Sequence, residues 1–194
     1  FSYKSFRDVS PKINLTFKRD NFSTWNFALS KGFRSPSLSE LFLQYESDYG
    51  LNTQGNPNLE PELKTEWEIG GDFRFLDDKV SLSLTYYDNI IEGILLDVSL
   101  SPSTGFSTQY GNYGEMTNNG LEVDLGLDLI NTNDFELSTA LNWSKNNNEV
   151  TDLYGTETIN LSPGASVSSR AIVGYSLGAL YGTGSKTNPD GSFD

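Results

Sequence analysis

Leu121-Glu122-Val123-Asp124-Leu125-Gly126-Leu127-Asp128-Leu129 alternates apolar residues with acidic or small ones. Successive side chains on a strand point to opposite faces, so this stretch reads as a strand with one oily and one wet side. The same asymmetry recurs elsewhere in the chain. Trp67, Ile69, Gly71, Phe73 and Phe75 alternate with Glu68, Gly70, Asp72 and Arg74. Phe135, Leu137, Thr139, Leu141 and Trp143 alternate with Glu136, Ser138, Ala140 and Asn142. Working outward, the pattern predicts six strands, at about 12–18, 22–33, 66–76, 80–91, 116–130 and 135–146. Their oily faces carry Ile13, Leu15 and Phe17, then Trp25, Phe27, Leu29 and Phe33, then Val80, Leu82, Leu84 and Tyr86 in the weaker segments.

All seven prolines (Pro11, Pro36, Pro57, Pro61, Pro102, Pro163, Pro189) fall outside these runs. Proline cannot donate to a ladder, so this placement agrees with the strand boundaries. The connections alternate in length. Residues 19–21, 77–78 and 131–134 are tight polar turns, whereas about 34–65, 92–115 and 147–194 are long. Short turns at one end and long loops at the other are the habit of outer-membrane barrels. About eleven residues at ~3.3 Å each span ~36 Å, and a ~45° tilt reduces this to ~25 Å, the height of an outer-membrane apolar band.

Composition is compatible with this reading. The 194 residues are 36% hydrophobic and 13% aromatic, and the mean hydropathy is −0.42. Barrel strands average mild hydropathy because they alternate. No run of about 18 apolar residues exists, which excludes a transmembrane helix. The net charge of −13 argues against a nucleic-acid partner, which demands a basic surface. The chain has neither Cys nor His. That removes thiolate metal sites, the commonest metal ligand and the commonest general base. No catalytic residue, metal site or cofactor is expected.

The fold class expected is all-β, an antiparallel up-and-down meander forming part of a transmembrane barrel. Six strands make an open sheet, since bacterial barrels start at about eight. Residues 1–194 are expected to belong to one barrel domain of a longer protein, with a plug domain and further strands elsewhere. Large aromatics near strand ends (Trp25, Phe33, Trp67, Phe75, Phe135, Trp143) fit interfacial girdles. Lys31 is the one charge expected among outward positions, toward the long-loop end, where it can snorkel. A soluble β-sheet binding or adhesin module shares the alternation and stays open as an alternative, as does a passive porin.

The second strand runs into Gly32-Phe33-Arg34-Ser35-Pro36-Ser37-Leu38-Ser39-Glu40-Leu41-Phe42. Gly55-Asn56-Pro57-Asn58-Leu59-Glu60-Pro61-Glu62 then leads to Thr65-Glu66-Trp67-Glu68-Ile69-Gly70. These segments resemble TonB-dependent outer-membrane receptors. Asn112-Tyr113-Gly114-Glu115-Met116-Thr117-Asn118-Asn119-Gly120-Leu121-Glu122 and Leu141-Asn142-Trp143-Ser144-Lys145-Asn146 are similar to the SusC/RagA group of that superfamily. Val173-Gly174-Tyr175-Ser176-Leu177-Gly178-Ala179-Leu180-Tyr181-Gly182 continues the likeness. The stretch 33–42 looks more like siderophore and vitamin receptors. The resemblance implies an integral protein of the bacterial outer membrane that imports a bulky nutrient, such as a glycan, peptide, siderophore or vitamin. It also implies a TonB complex acting through the plug, a SusD-like surface lipoprotein, and outer-membrane lipid as the surroundings.

Candidate ligand-binding residues are those of the long connections: Arg34, Tyr45, Tyr49, Asn56, Tyr110 and Tyr154. Tyr113 and Tyr181 lie in the same segments. Exposed aromatics stack on sugar rings or apolar ligand faces. Arg34 also has a structural reading, an ion pair with Glu40 or another acid of the loop. Pro57 and Pro61 stiffen the entry to the third strand. Asn118-Asn119-Gly120 reads as a bulge or bend. Asn188-Pro189-Asp190-Gly191 reads as a turn.

Overall fold

The structure is a computed structural model that describes residues 4–45, 53–162, 167–182 and 184. In chain order its elements are β1 (Lys12–Lys18), β2 (Ser23–Arg34), α1 (Leu38–Phe42), β3 (Gln44–Tyr45), β4 (Thr53–Gln54), β5 (Glu62–Phe75), β6 (Val80–Glu92) and β7 (Leu95–Ser99). A 3₁₀ turn (Pro102–Thr104) follows, then β8 (Thr108–Asn112), β9 (Glu115–Asn131), β10 (Glu136–Asp152), β11 (Thr158–Ser162), β12 (Val167–Ile172) and β13 (Ala179–Gly182). The six expected strands are β1, β2, β5, β6, β9 and β10.

The chain forms two compact units. The strand unit comprises Phe1–Ser35, Glu60–Gly93 and Glu115–Asn148. It is an open six-stranded sheet in the order β1-β2-β5-β6-β9-β10, each strand beside its predecessor in the meander. The pairing is antiparallel and unbroken from β1 through β9. Register carries each face across the sheet. Leu15, Phe27, Ile69, Tyr86 and Leu121 are successive partners, and so are Phe17, Trp25, Gly71, Leu84 and Val123. Thr16, Asn26, Gly70, Thr85 and Glu122 form a row of the opposite parity. A slip of one residue would exchange the two faces entirely, so the alternation fixes the parity of the pairing and the short turns set the register.

Among the described residues no second layer covers the oily face. Leu15, Ile69 and Leu141 are exposed, and Leu82 and Leu125 are only half-buried. Aromatic pairs tie this face together sideways, Trp25 edge-on to Phe73 at 5.1 Å and Trp67 tilted against Tyr86 at 5.4 Å. The face turns polar toward the long connections, where Trp67 is followed across the sheet by Asp88 and Asn119. Lys31 is therefore not the one outward charge, since Asp88 shares that face. Both lie just past the apolar stretch, and Lys31 Nζ sits 3.7 Å from Asp8.

The turns explain themselves locally. The Asp20 carboxylate accepts from the N–H groups of Phe22 and Ser23 at 2.8 and 2.7 Å, closing the β1–β2 hairpin. The hydrogen bond from Phe22 is the main cause holding that carboxyl below its ordinary pKa. The expected bulge at 118–120 does not interrupt the ladder to β6. Asn118, Asn119 and Gly120 pair without a break with Asn89, Asp88 and Tyr87. Gly120 is needed for space instead, because a Cβ there would lie 2.4 Å from the Tyr87 hydroxyl and 2.7 Å from the Lys145 carbonyl.

The connection unit comprises Pro36–Leu59, Ile94–Gly114 and Glu149–Asp194. It holds a four-stranded sheet in the order β3-β4-β8-β7 and a three-stranded sheet β11-β12-β13. The buried apolar side chains Leu41, Leu59, Ile94, Leu95, Leu96, Val150, Leu153, Ile159 and Ala171 all belong to it. These short elements were expected as loops. Ile94-Leu95-Leu96 is an unalternating apolar run too short to reveal its pairing, and only its partner Gly111-Asn112 makes it a strand. The expected turn at 188–191 lies outside the described residues.

Candidate functional site

The wet face of the strand unit is a hydrogen-bonded wall. Thr16 donates to Asn26 at 2.9 Å, Asn26 donates to Asp72 at 3.2 Å, and Ser83 donates to the other Asp72 oxygen at 2.8 Å. Asn142 donates to Asp124. Nearer the long connections, Asn118 donates to Asn89 at 3.1 Å and Asn89 to Glu66 at 3.2 Å, while Lys64 pairs with Glu66 at 2.5 Å. Tyr87 reaches Asn146 at 3.0 Å. Amides and hydroxyls between the carboxylates supply donors, and Glu66 is also paired with Lys64. Lined up in this way, the wall suits an aqueous interior.

Arg34 belongs to this unit, at the end of β2. It forms a two-pronged pair with Glu62, Nε to Oε2 at 2.8 Å and Nη2 to Oε1 at 2.9 Å. Glu62 faces Arg34 directly across the ladder and is one of the acids of the 34–65 connection that the sequence offered. Glu40 is taken by the helix: its carboxylate accepts from the Ser37 N–H at 2.6 Å while Ser37 Oγ accepts from the Glu40 N–H at 3.2 Å. This reciprocal capping box starts α1 and gives the Ser37-Leu38-Ser39-Glu40 stretch its physical role.

The other candidates lie in the connection unit. Asn56 is a tie point: its N–H donates to the Glu40 carbonyl at 2.8 Å and its amide to the Tyr110 carbonyl at 3.0 Å. Its side-chain oxygen accepts from the Asn58 N–H at 2.9 Å. Asn56 and Tyr110 are therefore brought together, and Leu59 is buried just beyond them. Tyr110 sits opposite Asp97 in the β7–β8 ladder. Burial pushes the Asp97 carboxyl up, opposed by a hydrogen bond from Thr108, and one of its oxygens is buried without a partner. Burial, then the negative charges of Asp97 and Glu40, push the Tyr110 phenol up. Tyr154 projects into solvent from a left-handed turn, φ 48°, whose N–H bonds Asp152 at 2.7 Å. Tyr45 lies on β3 opposite Thr53, and Tyr49 lies outside the described residues. Asp97 escaped the sequence reading. Its signal is a lone acid inside the apolar run Ile94-Leu95-Leu96-Asp97-Val98.

A family profile described as "TonB dependent receptor-like, beta-barrel" matches residues 1–193. The chain belongs to the TonB-dependent receptor-like β-barrel family. It is a SusC/RagA-like member, and its strands are those of an integral outer-membrane barrel. It is 28% identical over 190 residues to TonB-dependent receptor P3 of Formosa agariphila, a match covering 88% of this chain and 19% of that receptor. It is 33% identical over 101 residues to TonB-dependent receptor SusC of Bacteroides thetaiotaomicron, covering 52% of this chain and 10% of SusC. The RagAB peptide importer in its closed-closed state shares the fold, with a TM-score of 0.70 and 18% identity over 95% of this chain and 24% of that one. The chain thus spans about a fifth or less of the curated receptors it matches. Membership accounts for the inverted polarity of the strand unit, because lipid is the missing layer on the oily face.

Proposed function

We propose that the complete protein is an active outer-membrane importer of a bulky nutrient (a glycan, peptide, siderophore or vitamin), driven by the TonB complex. In this reading residues 1–194 form part of one barrel domain, a plug domain carries the energy coupling, and a SusD-like surface lipoprotein serves as partner. The strand unit supplies barrel wall and Arg34, and the connection unit contributes to ligand capture through the segments around Tyr45, Tyr49, Asn56, Tyr110 and Tyr154. One observation carries most weight: the long connections have their own buried core and paired strands, instead of trailing as separate loops. A preorganised surface binds at a smaller entropic cost than loops that order on contact.

Uptake by the full-length receptor tests the reading. Removing the TonB protein is expected to abolish uptake of the nutrient at low concentration; uptake that persists unchanged would point to a passive porin instead. Replacing connections 37–58 and 95–112 with short Gly/Ser linkers is expected to weaken ligand binding at least tenfold, and unchanged affinity would remove the capture role.

A further inference from the structure

Arg170 is a guanidinium without a counter-charge. It lies half-buried on β12, in a connection unit whose sequence holds one other cation, Lys186, against several times as many acids. Lys186 lies outside the described residues. Among the described residues no carboxylate comes within ion-pair distance of Arg170, whereas Arg34 and Lys64 of the strand unit each hold one.

The side chain is nevertheless fixed. Its guanidinium lies over the Tyr181 ring, with Cζ 3.8 Å from the ring centre, and its Nε donates to Ser168 Oγ at 2.9 Å. Ser168 is itself buried. These contacts set the plane of the fork and occupy one of its five N–H donors. The ring also keeps water from one face of the guanidinium, which strengthens its attraction for a charge at the open edge.

A second observation lies across the ladder. Asn160 pairs with Arg170 on one side and Ala179 pairs with it on the other. Directly paired residues project to the same face, so Asn160 and Arg170 are neighbours, and the short Ala179 side chain leaves room beside them. The Asn160 side-chain oxygen is buried with no hydrogen-bond partner. A free acceptor thus adjoins free donors, and the two do not satisfy each other. A third group that accepts from the fork and donates to the amide satisfies both.

The chemistry selects that group. The arginine fork matches the two oxygens of a carboxylate. The acids of the unit repel a polyanion at long range but tolerate one negative charge on a neutral or cationic body. The last residue of a peptide has an N–H beside its carboxylate, and a single uronate has a hydroxyl there. We infer that Arg170 and Asn160 form a site for one carboxylate of the imported nutrient, with Tyr181 holding the fork in place. The inference rests on the import reading above and narrows the cargo to molecules with an isolated carboxylate.

The test uses the full-length receptor in detergent, titrated with two matched pairs. One is an uncharged-side-chain tetrapeptide with a free C-terminal carboxylate and its C-terminal amide. The other is an oligosaccharide with one terminal uronate and its uncharged parent. In at least one pair the carboxylate is expected to bind about tenfold more tightly than its partner, and the pair that responds identifies the source. Arg170→Gln is expected to erase that preference and leave the partner's affinity within about twofold. Asn160→Asp sets an internal carboxylate beside the fork; it is expected to erase the preference too, and it carries the test alone if Arg170→Gln misfolds. Arg170→Lys keeps the charge without the fork and should retain less than about half of the preference. A polyuronate should bind no more tightly than the singly charged oligosaccharide. The inference is overturned if neither carboxylate outbinds its partner, if the preference survives in either folded variant, or if the polyuronate is the strongest ligand. If TonB-dependent uptake survives such a result, only the site falls; uptake independent of TonB removes the import reading itself.

Discussion

Leu141 and Leu153 lie close together in the chain and meet opposite surroundings. Leu141, on the strand unit, is 60% exposed, whereas Leu153, at the start of the last segment of the connection unit, is 1% exposed. The contrast is general. The strand unit contributes none of the buried apolar side chains among the described residues, and the connection unit contributes all of them. The first unit has its polar network on one face and its oil on the other. The second folds as water-soluble proteins do, around a dry centre. The two units hold similar shares of apolar residues, so the difference teaches that polarity is organised against a solvent, and that each unit is built for a different one.

Substitutions sharpen the contrast. Leu153→Ala removes a fully buried side chain and is expected to cost about 2–5 kcal/mol of local stability. Hydrogen exchange on the reconstituted receptor should rise in residues 149–162 and stay unchanged in β5 and β6. Equal loosening of both regions would mean that the units do not hold separate cores. Leu84→Arg, in the apolar stretch of β6, is expected to cost about 2–4 kcal/mol by placing a charge against lipid. Its readout is the folded fraction recovered in vesicles, and a wild-type yield would show that this face is not in the bilayer. The reverse pairing discriminates further, since Leu84→Ala leaves no internal cavity and should matter less than Leu153→Ala.

The smallest effect depends on pH. Because burial raises the Asp97 pKa, the folded unit holds this proton more tightly than the unfolded chain does. Stability from this group is therefore greatest in acid, falls as pH rises from the ordinary carboxylate value through the raised one, and is flat above it. Asp97→Asn is expected to remove that slope, so the variant gains relative to the parent at neutral pH and matches it at about pH 3. Thermal unfolding of the receptor at both pH values checks this, and a gain that is the same at both would rule out titration of Asp97 as the cause.

The two units were not equally legible. All six wall strands were visible in the sequence within a few residues, though β5 begins at Glu62 and β10 extends to Asp152, past the last clear alternation. In the connection unit the chemistry was visible but its arrangement was not. Arg34 pairs with an acid of the 34–65 connection as expected, and Glu62 is such an acid, facing it across the ladder. Asn56 was picked out as a ligand candidate, yet its side chain stitches two segments of the connection unit. Tyr113 gave no hint that Gly111 makes room for its ring.

The sequence by itself determined the strands and which side of each is oily. A period of two is a local property, and a one-residue slip would reverse every side chain at once. Only the tertiary structure decided the connection unit. Its strands are two to six residues long, too short for a period to declare itself. Its core is assembled from segments far apart in the chain, whose meeting depends on contacts that no local pattern records.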